Sequence, residues 1–221
     1  GVSAFDLDKF AEQELIARGA IPSFKNYRSR PDEPAFLASL CVSVNHEVVH
    51  GQPLKNKIFK DGDIVGLDLG AKYEGLYTDM AITVGVGKVP PNTQKLLDAT
   101  IEALNNAMAQ VKPGNTTGDI GFATESTAKK YGFSVVRELV GHGVGLAVHE
   151  DPEVPGFGQK GSGTKLTEGL VIAIEPMLTM GNWKIIIADD NWTVETEDKS
   201  LAAHFEHTVL VKKDGYEVIT I

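Results

Sequence analysis

Apolar residues Leu96, Leu97, Ile101, Leu104 and Met108 recur at three- and four-residue steps within 91–111, which predicts a helix with one buried face. Two further helices are signalled by their ends. Ser3 with Asp6, and Thr116 or Thr117 with Asp119, supply N-cap side chains and an early acid, while Gly19 and Gly132 supply the stops. Short apolar runs at 40–44, 64–69, 76–86, 170–174, 184–188, 192–194 and 207–211 read as strands, with 218–221 as a further candidate. A Lys72-Tyr73-Glu74-Gly75 turn separates the second run from the third.

The two end-defined helices also resemble each other. Gly1-Val2-Ser3-Ala4-Phe5-Asp6-Leu7 matches Gly114-Asn115-Thr116-Thr117-Gly118-Asp119-Ile120 at an offset of 113, and the same offset pairs Glu12 with Glu125 and Gly19 with Gly132. Each half runs from helix to antiparallel strands, without the βαβ alternation of a doubly wound parallel fold. The expected class is α+β, an internally duplicated domain whose curved antiparallel sheet is covered by helices on one face. A single catalytic domain over 1–221 is expected, with pseudo-halves of about 1–90 and 91–221. The 91–111 helix precedes the second copy and nothing precedes the first, so the first half is expected to lack its N-terminal helix. No Ser- or Gly-rich linker divides the chain, and 28–34, with two prolines and mixed charge, reads as a surface loop.

Composition narrows the chemistry. Thirty acids against 21 Lys and Arg give a net charge of -9, which repels phosphate backbones and disfavours nucleic acid as a partner. No apolar run approaches a membrane span, and no signal peptide opens the sequence, so a cytoplasmic protein with no membrane partner is expected. Cys41 is the one cysteine, which excludes an internal disulfide and a thiolate-rich zinc site. Any metal must then be held by the six histidines and thirty acids.

Several of those acids sit in unusual places. Asp68 lies within the apolar run Ile64-Val65-Gly66-Leu67-Asp68-Leu69. A hairpin turning between Tyr73 and Glu74 sets it opposite Asp79, with Cβ atoms roughly 5 Å apart on one face. Two semi-buried carboxylates at that distance repel unless a cation separates them. Taken alone, an Asp that ends a strand and an Asp that caps a turn account for both equally well. Glu175 ends Leu170-Val171-Ile172-Ala173-Ile174, and Glu206 precedes the 207–211 run, so the same anomaly occurs four times. His142 lies in Gly141-His142-Gly143-Val144-Gly145, where glycines allow a backbone to come close to whatever the imidazole binds. Each residue singly has a solvated or salt-bridged reading.

The order Asp68, Asp79, His142, Glu175, Glu206 resembles the five-ligand dimetal site of the methionine aminopeptidase and prolidase superfamily, whose members have the pitta-bread fold. Four strings bring the resemblance to the type I methionine aminopeptidases. They are Cys41-Val42-Ser43-Val44-Asn45 leading to His50-Gly51-Gln52-Pro53, Val136-Arg137-Glu138 before Gly141-His142-Gly143, Ile174-Glu175-Pro176-Met177, and Glu206-His207-Thr208. The 33 residues from His142 to Glu175 leave no room for the helical insertion of type II enzymes. Prolidase-like relatives carry a further histidine where Arg137-Glu138-Leu139-Val140 stands here.

The resemblance implies two divalent ions (Co, Mn, Fe or Zn), with Asp68 chelating one, Asp79 and Glu206 bridging, and His142 and Glu175 completing the second. Such ions, about 3.5–4 Å apart, share a water and generate the hydroxide that attacks the peptide. Glu175 is implied as proton acceptor, His149 as stabiliser of the tetrahedral oxyanion, and His50 as the group near the scissile nitrogen. His50 also reads as a turn cap. Tyr27, Phe36, His50, Val148 and Trp192 are implied to line the slot for the first side chain. Val148, Gly156 and the 28–34 loop depart from the bacterial pattern near the substrate entrance, which bears on methionine preference. Cys41 reads as inert core, His46 and His204 as solvated, and His207 as a neighbour of the ligand shell. The implied function is removal of N-terminal methionine from nascent polypeptides by a monomer. Ribosome proximity fits the resemblance, although the acidic charge argues against a broad basic docking surface. The alternatives are a prolidase or aminopeptidase P-like Xaa-Pro peptidase, and a binding relative with weak catalysis.

Overall fold

The computed structural model describes residues 1–220 except 29 and 33. Three helices form where the caps and the apolar stripe predict them: α1 (Ala4–Ala17), α2 (Pro91–Met108) and α3 (Thr117–Tyr131). The related N-termini fold alike. Asp6 accepts the Ser3 backbone N–H at 3.4 Å, and Asp119 accepts that of Thr116 at 2.9 Å, so two otherwise orphaned donors are satisfied by the same device 113 positions apart.

The main sheet is antiparallel throughout and runs Glu150–Val154, Gly141–Gly143, Val171–Ile174, Glu206–Lys212, Met80–Gly85, Ile64–Asp68, Cys41–Val44, with Gly215–Val218 paired to Glu206–Lys212. Its order is symmetric about the seam between Met80–Gly85 and Glu206–Lys212. Outward from that seam, the first three strands of each half lie in reverse chain order, and Glu150–Val154 adds one outer strand beyond Gly141–Gly143. Asp68 and Glu175 therefore occupy equivalent places, at the C-terminal ends of the two middle strands. Asp79 and Glu206 occupy the other equivalent pair, at the N-terminal ends of the two seam strands. The duplicated α+β expectation is met, and it explains why the carboxylates meet: they converge on the seam.

Side-chain alternation then divides the two faces. Val42 and Val65 pack with Ala4 under α1, and Ile172, Ile174, Val209 and Val211 pack with Leu96, Leu104 and Met108 of α2. Neighbouring positions of opposite parity, Cys41, Glu206 and Thr208, turn away from the helices. The helices cover one face and the polar cluster lies on the other.

One register differs from the expected one. The hairpin turns at Glu74-Gly75, both with left-handed φ (49° and 90°), the geometry of a tight two-residue loop matched to strand twist. Tyr73 pairs with Leu76, and Asp68 with Ala81. Asp79 is thus diagonal to Asp68, not opposite it. A shift of two keeps parity, so both still share a face. The strand expected at 192–194 forms one turn later, at Val194–Thr196, because Asp190 accepts the N–H groups of Trp192 (2.9 Å) and Thr193 (2.7 Å) and holds that stretch in a turn. The last strand is Gly215–Val218 in place of 218–221, whose final residue lies outside the described ones.

Candidate metal centre

Four carboxylates and three imidazoles meet at the strand ends and on the Gly141–Gly143 strand. His142 Nε2 is 3.5 Å from Glu175 Oε1, and His204 Nε2 is 3.4 Å from Glu175 Oε2 and 3.8 Å from Glu206 Oε2. Ligand atoms of Asp68, His204 and Glu206 lie within 4.8 Å of one another, as do those of His142, Glu175 and Glu206, and those of Asp79, His142 and His149. Glu206 belongs to two of these sets and is 2% exposed.

Local backbone chemistry places each donor. The Asp79 N–H donates to Thr208 Oγ1 and the Thr208 hydroxyl donates back to the Asp79 carbonyl, both at 2.8 Å, so Thr208 clamps Asp79 across the seam. His142 Nδ1 lies 2.9 Å from the Gly143 carbonyl, an acceptor-only group, which leaves Nε2 as a lone pair toward the cluster. The flanking glycines are required by the sheet itself. A Cβ at Gly141 would stand 2.4 Å from the Ala173 carbonyl oxygen, and one at Gly143 would stand 2.1 Å from that of Asp151. Glycine there lets the His142 strand sit between two neighbours.

The cluster is electrostatically unstable as a set of free carboxylates. Burial, and then the charge of Glu175, pushes Asp68 up to about 8; burial raises Glu175 to about 7, with His142 opposing. Asp79 and Glu206 are driven well above the carboxylate range by burial and by their acidic neighbours. Asp68 Oδ1 and Glu206 Oε1 are buried with no hydrogen-bond partner among the described residues. Orphaned, crowded carboxylate oxygens beside an imidazole nitrogen are what divalent cations satisfy, so the residues present fit a metal.

The profile of metallopeptidase family M24 matches residues 1–213. The methionine aminopeptidase of Aquifex aeolicus is 48% identical over 100% of this chain and 86% of its own length. The chain belongs to metallopeptidase family M24. Divalent metal use follows from that membership together with the donor cluster. The crystal structure of methionine aminopeptidase from Thermotoga maritima superposes with a TM-score of 0.94 at 42% identity, covering 99% of this chain and 85% of that one. Prolidase from Pyrococcus furiosus superposes at 0.64 and 26% identity, over 82% of this chain and 48% of that one. Within M24 this chain is therefore much more similar to the former.

Beside the M24 donor cluster a cleft is lined by Tyr27, Phe36, His50 and Trp192, and also by Phe24, Val49 and Cys41, for which the sequence carries no signal. Phe36 and Trp192 meet edge to face, ring centroids 5.4 Å apart. His149 Nδ1 is 2.8 Å from the Tyr27 hydroxyl, and its ring lies 4.4 Å from that of His142. His50, in a left-handed conformation (φ 56°), is held neutral, its pKa pushed down to about 4 by burial and by His204 and His142. Burial pushes the Cys41 thiol well up, in keeping with an inert role.

Four expectations are corrected. Val148 packs behind the cleft with Phe36 and Cys41 and does not line it. Gly156 abuts Thr124 of α3 and Val135, neither of which lines the cleft, and a Cβ there would stand 2.9 Å from Val135 Cγ1. His207 has the parity opposite to Glu206, and its Nδ1 lies 3.1 Å from Thr220 Oγ1. His204, expected in solvent, is buried against Glu175, whereas His46, expected there too, lies nearer the surface, 3.4 Å from Glu195. Of the 28–34 loop, 29 and 33 lie outside the described residues; its ends close through the Phe36 N–H donating to the Tyr27 carbonyl at 2.9 Å.

Proposed function

We propose that this chain is a metal-dependent methionine aminopeptidase that removes N-terminal methionine from nascent polypeptides. The observation that carries the reading is the buried cluster of orphaned carboxylate and imidazole atoms opening directly into an aromatic-walled cleft. Asp68, Asp79, His142, Glu175 and Glu206 are assigned as ligands of two divalent ions, with Co, Mn, Fe and Zn all suited to this donor set. When bound, the cations supply Lewis acidity and lower the pKa of a water near the scissile bond.

The chain's own residues do the rest. Glu175, at the base of the cleft, accepts the proton of that water. Tyr27 donates its hydroxyl proton to His149 Nδ1, which leaves the hydrogen on Nε2 as a donor to the oxyanion. His50, neutral, positions the scissile nitrogen. Tyr27, Phe36 and Trp192 hold the methionine side chain. The catalytic unit is one domain over 1–221, with pseudo-halves of about 1–90 and 91–221 meeting at the metal centre. It acts as a monomer in the cytoplasm. No described helix is long and apolar enough to cross a membrane.

The test is a peptide panel. Purified protein with Mn(II) or Co(II), and again with chelator, is offered Met-Gly-Met-Met, a Leu-initiated peptide and an Xaa-Pro peptide. Chelator-sensitive release of methionine alone is expected. Cleavage confined to Xaa-Pro bonds overturns the reading in favour of a prolidase-like enzyme, and absence of turnover with metal bound overturns it in favour of a binding relative.

A further inference from the structure

The donor cluster contains one buried imidazole to which the roles above assign nothing. His204 ends the Ala202–His204 strand, and its backbone is tied twice to Thr83: the Thr83 hydroxyl donates to the His204 carbonyl at 2.7 Å, and the His204 N–H donates to Thr83 Oγ1 at 2.9 Å. Pairing with Met177 fixes the other side of the strand. The residue is 3% exposed, and its Nε2 has no hydrogen-bond partner among the described residues. Such a group in a folded interior needs a reason.

Glu175 lies between two imidazoles, with Oε1 3.5 Å from His142 Nε2 and Oε2 3.4 Å from His204 Nε2. The two rings play different parts. His142 has its proton drawn to Nδ1 by the Gly143 carbonyl and offers a lone pair at Nε2. A lone pair at His204 Nε2 would face carboxylate oxygens of both Glu175 and Glu206, acceptor against acceptor. A proton there makes both contacts attractive.

We propose that His204 is a positioning residue whose Nε2–H donates to Glu175 Oε2, so that Glu175 presents Oε1 alone to the metal it shares with His142. The contact tightens by a few tenths of an ångström into hydrogen-bond range when Glu175 ligates. Glu206 Oε2, at 3.8 Å, lies beyond hydrogen-bond reach of the same donor and gains only its electrostatic attraction. The inference rests on the reading that Glu175 and His142 bind metal. It adds to that reading a residue that sets the binding mode of Glu175.

Two measurements test it. In proton–nitrogen correlation spectra of the unmodified, Zn(II)-loaded protein, with His204 assigned by loss of its signals in His204→Gln, Nε2 of His204 is expected to carry the hydrogen. A metal-shifted, proton-free Nε2 overturns the inference and makes His204 a direct ligand. In calorimetric titrations with Co(II), His204→Ala is expected to lower affinity roughly 10-fold or more. His204→Gln, which keeps an N–H donor at similar reach, is expected to recover most of it. Loss in His204→Gln equal to that in His204→Ala overturns the inference, as does unchanged affinity in His204→Ala. Failure of the unmodified protein to bind Co(II) at all is a separate result and sinks the metal-centre reading beneath it. The spectra need no folded alanine variant.

Discussion

Asp68 pairs across its hairpin with Ala81, which leaves Asp79 one diagonal step away on the same face, and the two carboxylates face each other with Glu175 and Glu206 behind them. Their folded-state pKa values lie above ordinary ones, about 8 for Asp68 and about 7 for Glu175. A raised carboxylate contributes stability that is complete below the unfolded value near pH ~4 and is lost as pH rises through the folded value. The chelated protein is therefore expected to lose thermal stability progressively from about pH 4 to about pH 8. Saturating Mn(II) should flatten that decline. Melting curves with and without chelator check it, and a chelated protein that gains stability over this window contradicts it.

Thr208 is expected to matter more than its distance from any substrate suggests. Thr208→Val leaves the Asp79 N–H and carbonyl without their partner on the seam, at a cost of about 1–3 kcal/mol. Denaturant midpoints should fall accordingly, and Co(II) affinity should fall with them because Asp79 is released. Unchanged affinity would show that Asp79 is held by other contacts.

His149 and Tyr27 should act as a pair. His149→Ala is expected to lower kcat about 100- to 1000-fold with metal content unchanged, the loss typical of one oxyanion donor. Tyr27→Phe removes the hydroxyl 2.8 Å from Nδ1 and should produce a smaller loss in the same parameter. A double variant much worse than His149→Ala would mean that Tyr27 works independently.

Much of this was legible in the sequence, and what was not has physical causes. Capping residues fix helix ends locally, so Ser3, Thr116 and the two glycines were sufficient for α1 and α3. Asp68 and Glu175 stand out because a carboxylate at the end of an apolar run contradicts its surroundings. The hairpin register was missed by two because Glu74, a non-glycine residue, adopts positive φ and moves the turn. His204 was missed because its burial comes from pairing with Met177 and Thr83, distant in sequence. Its spacing of two from Glu206 was the available signal, since period-two positions share a face. Thr208 carried the same signal. Phe24, Val49 and Cys41 had none: which apolar residues wall a cleft is set by long-range packing.

The central claim is that this cluster is a metal centre that turns over N-terminal methionine. Its most direct test is a titration of the chelated protein with Mn(II), following methionine release from Met-Gly-Met-Met, with Asp79→Asn in parallel. Release should be absent without metal, rise with added Mn(II) in the unmodified protein, and stay absent in Asp79→Asn. Methionine release that survives complete chelation, or is undiminished in Asp79→Asn, would contradict the account.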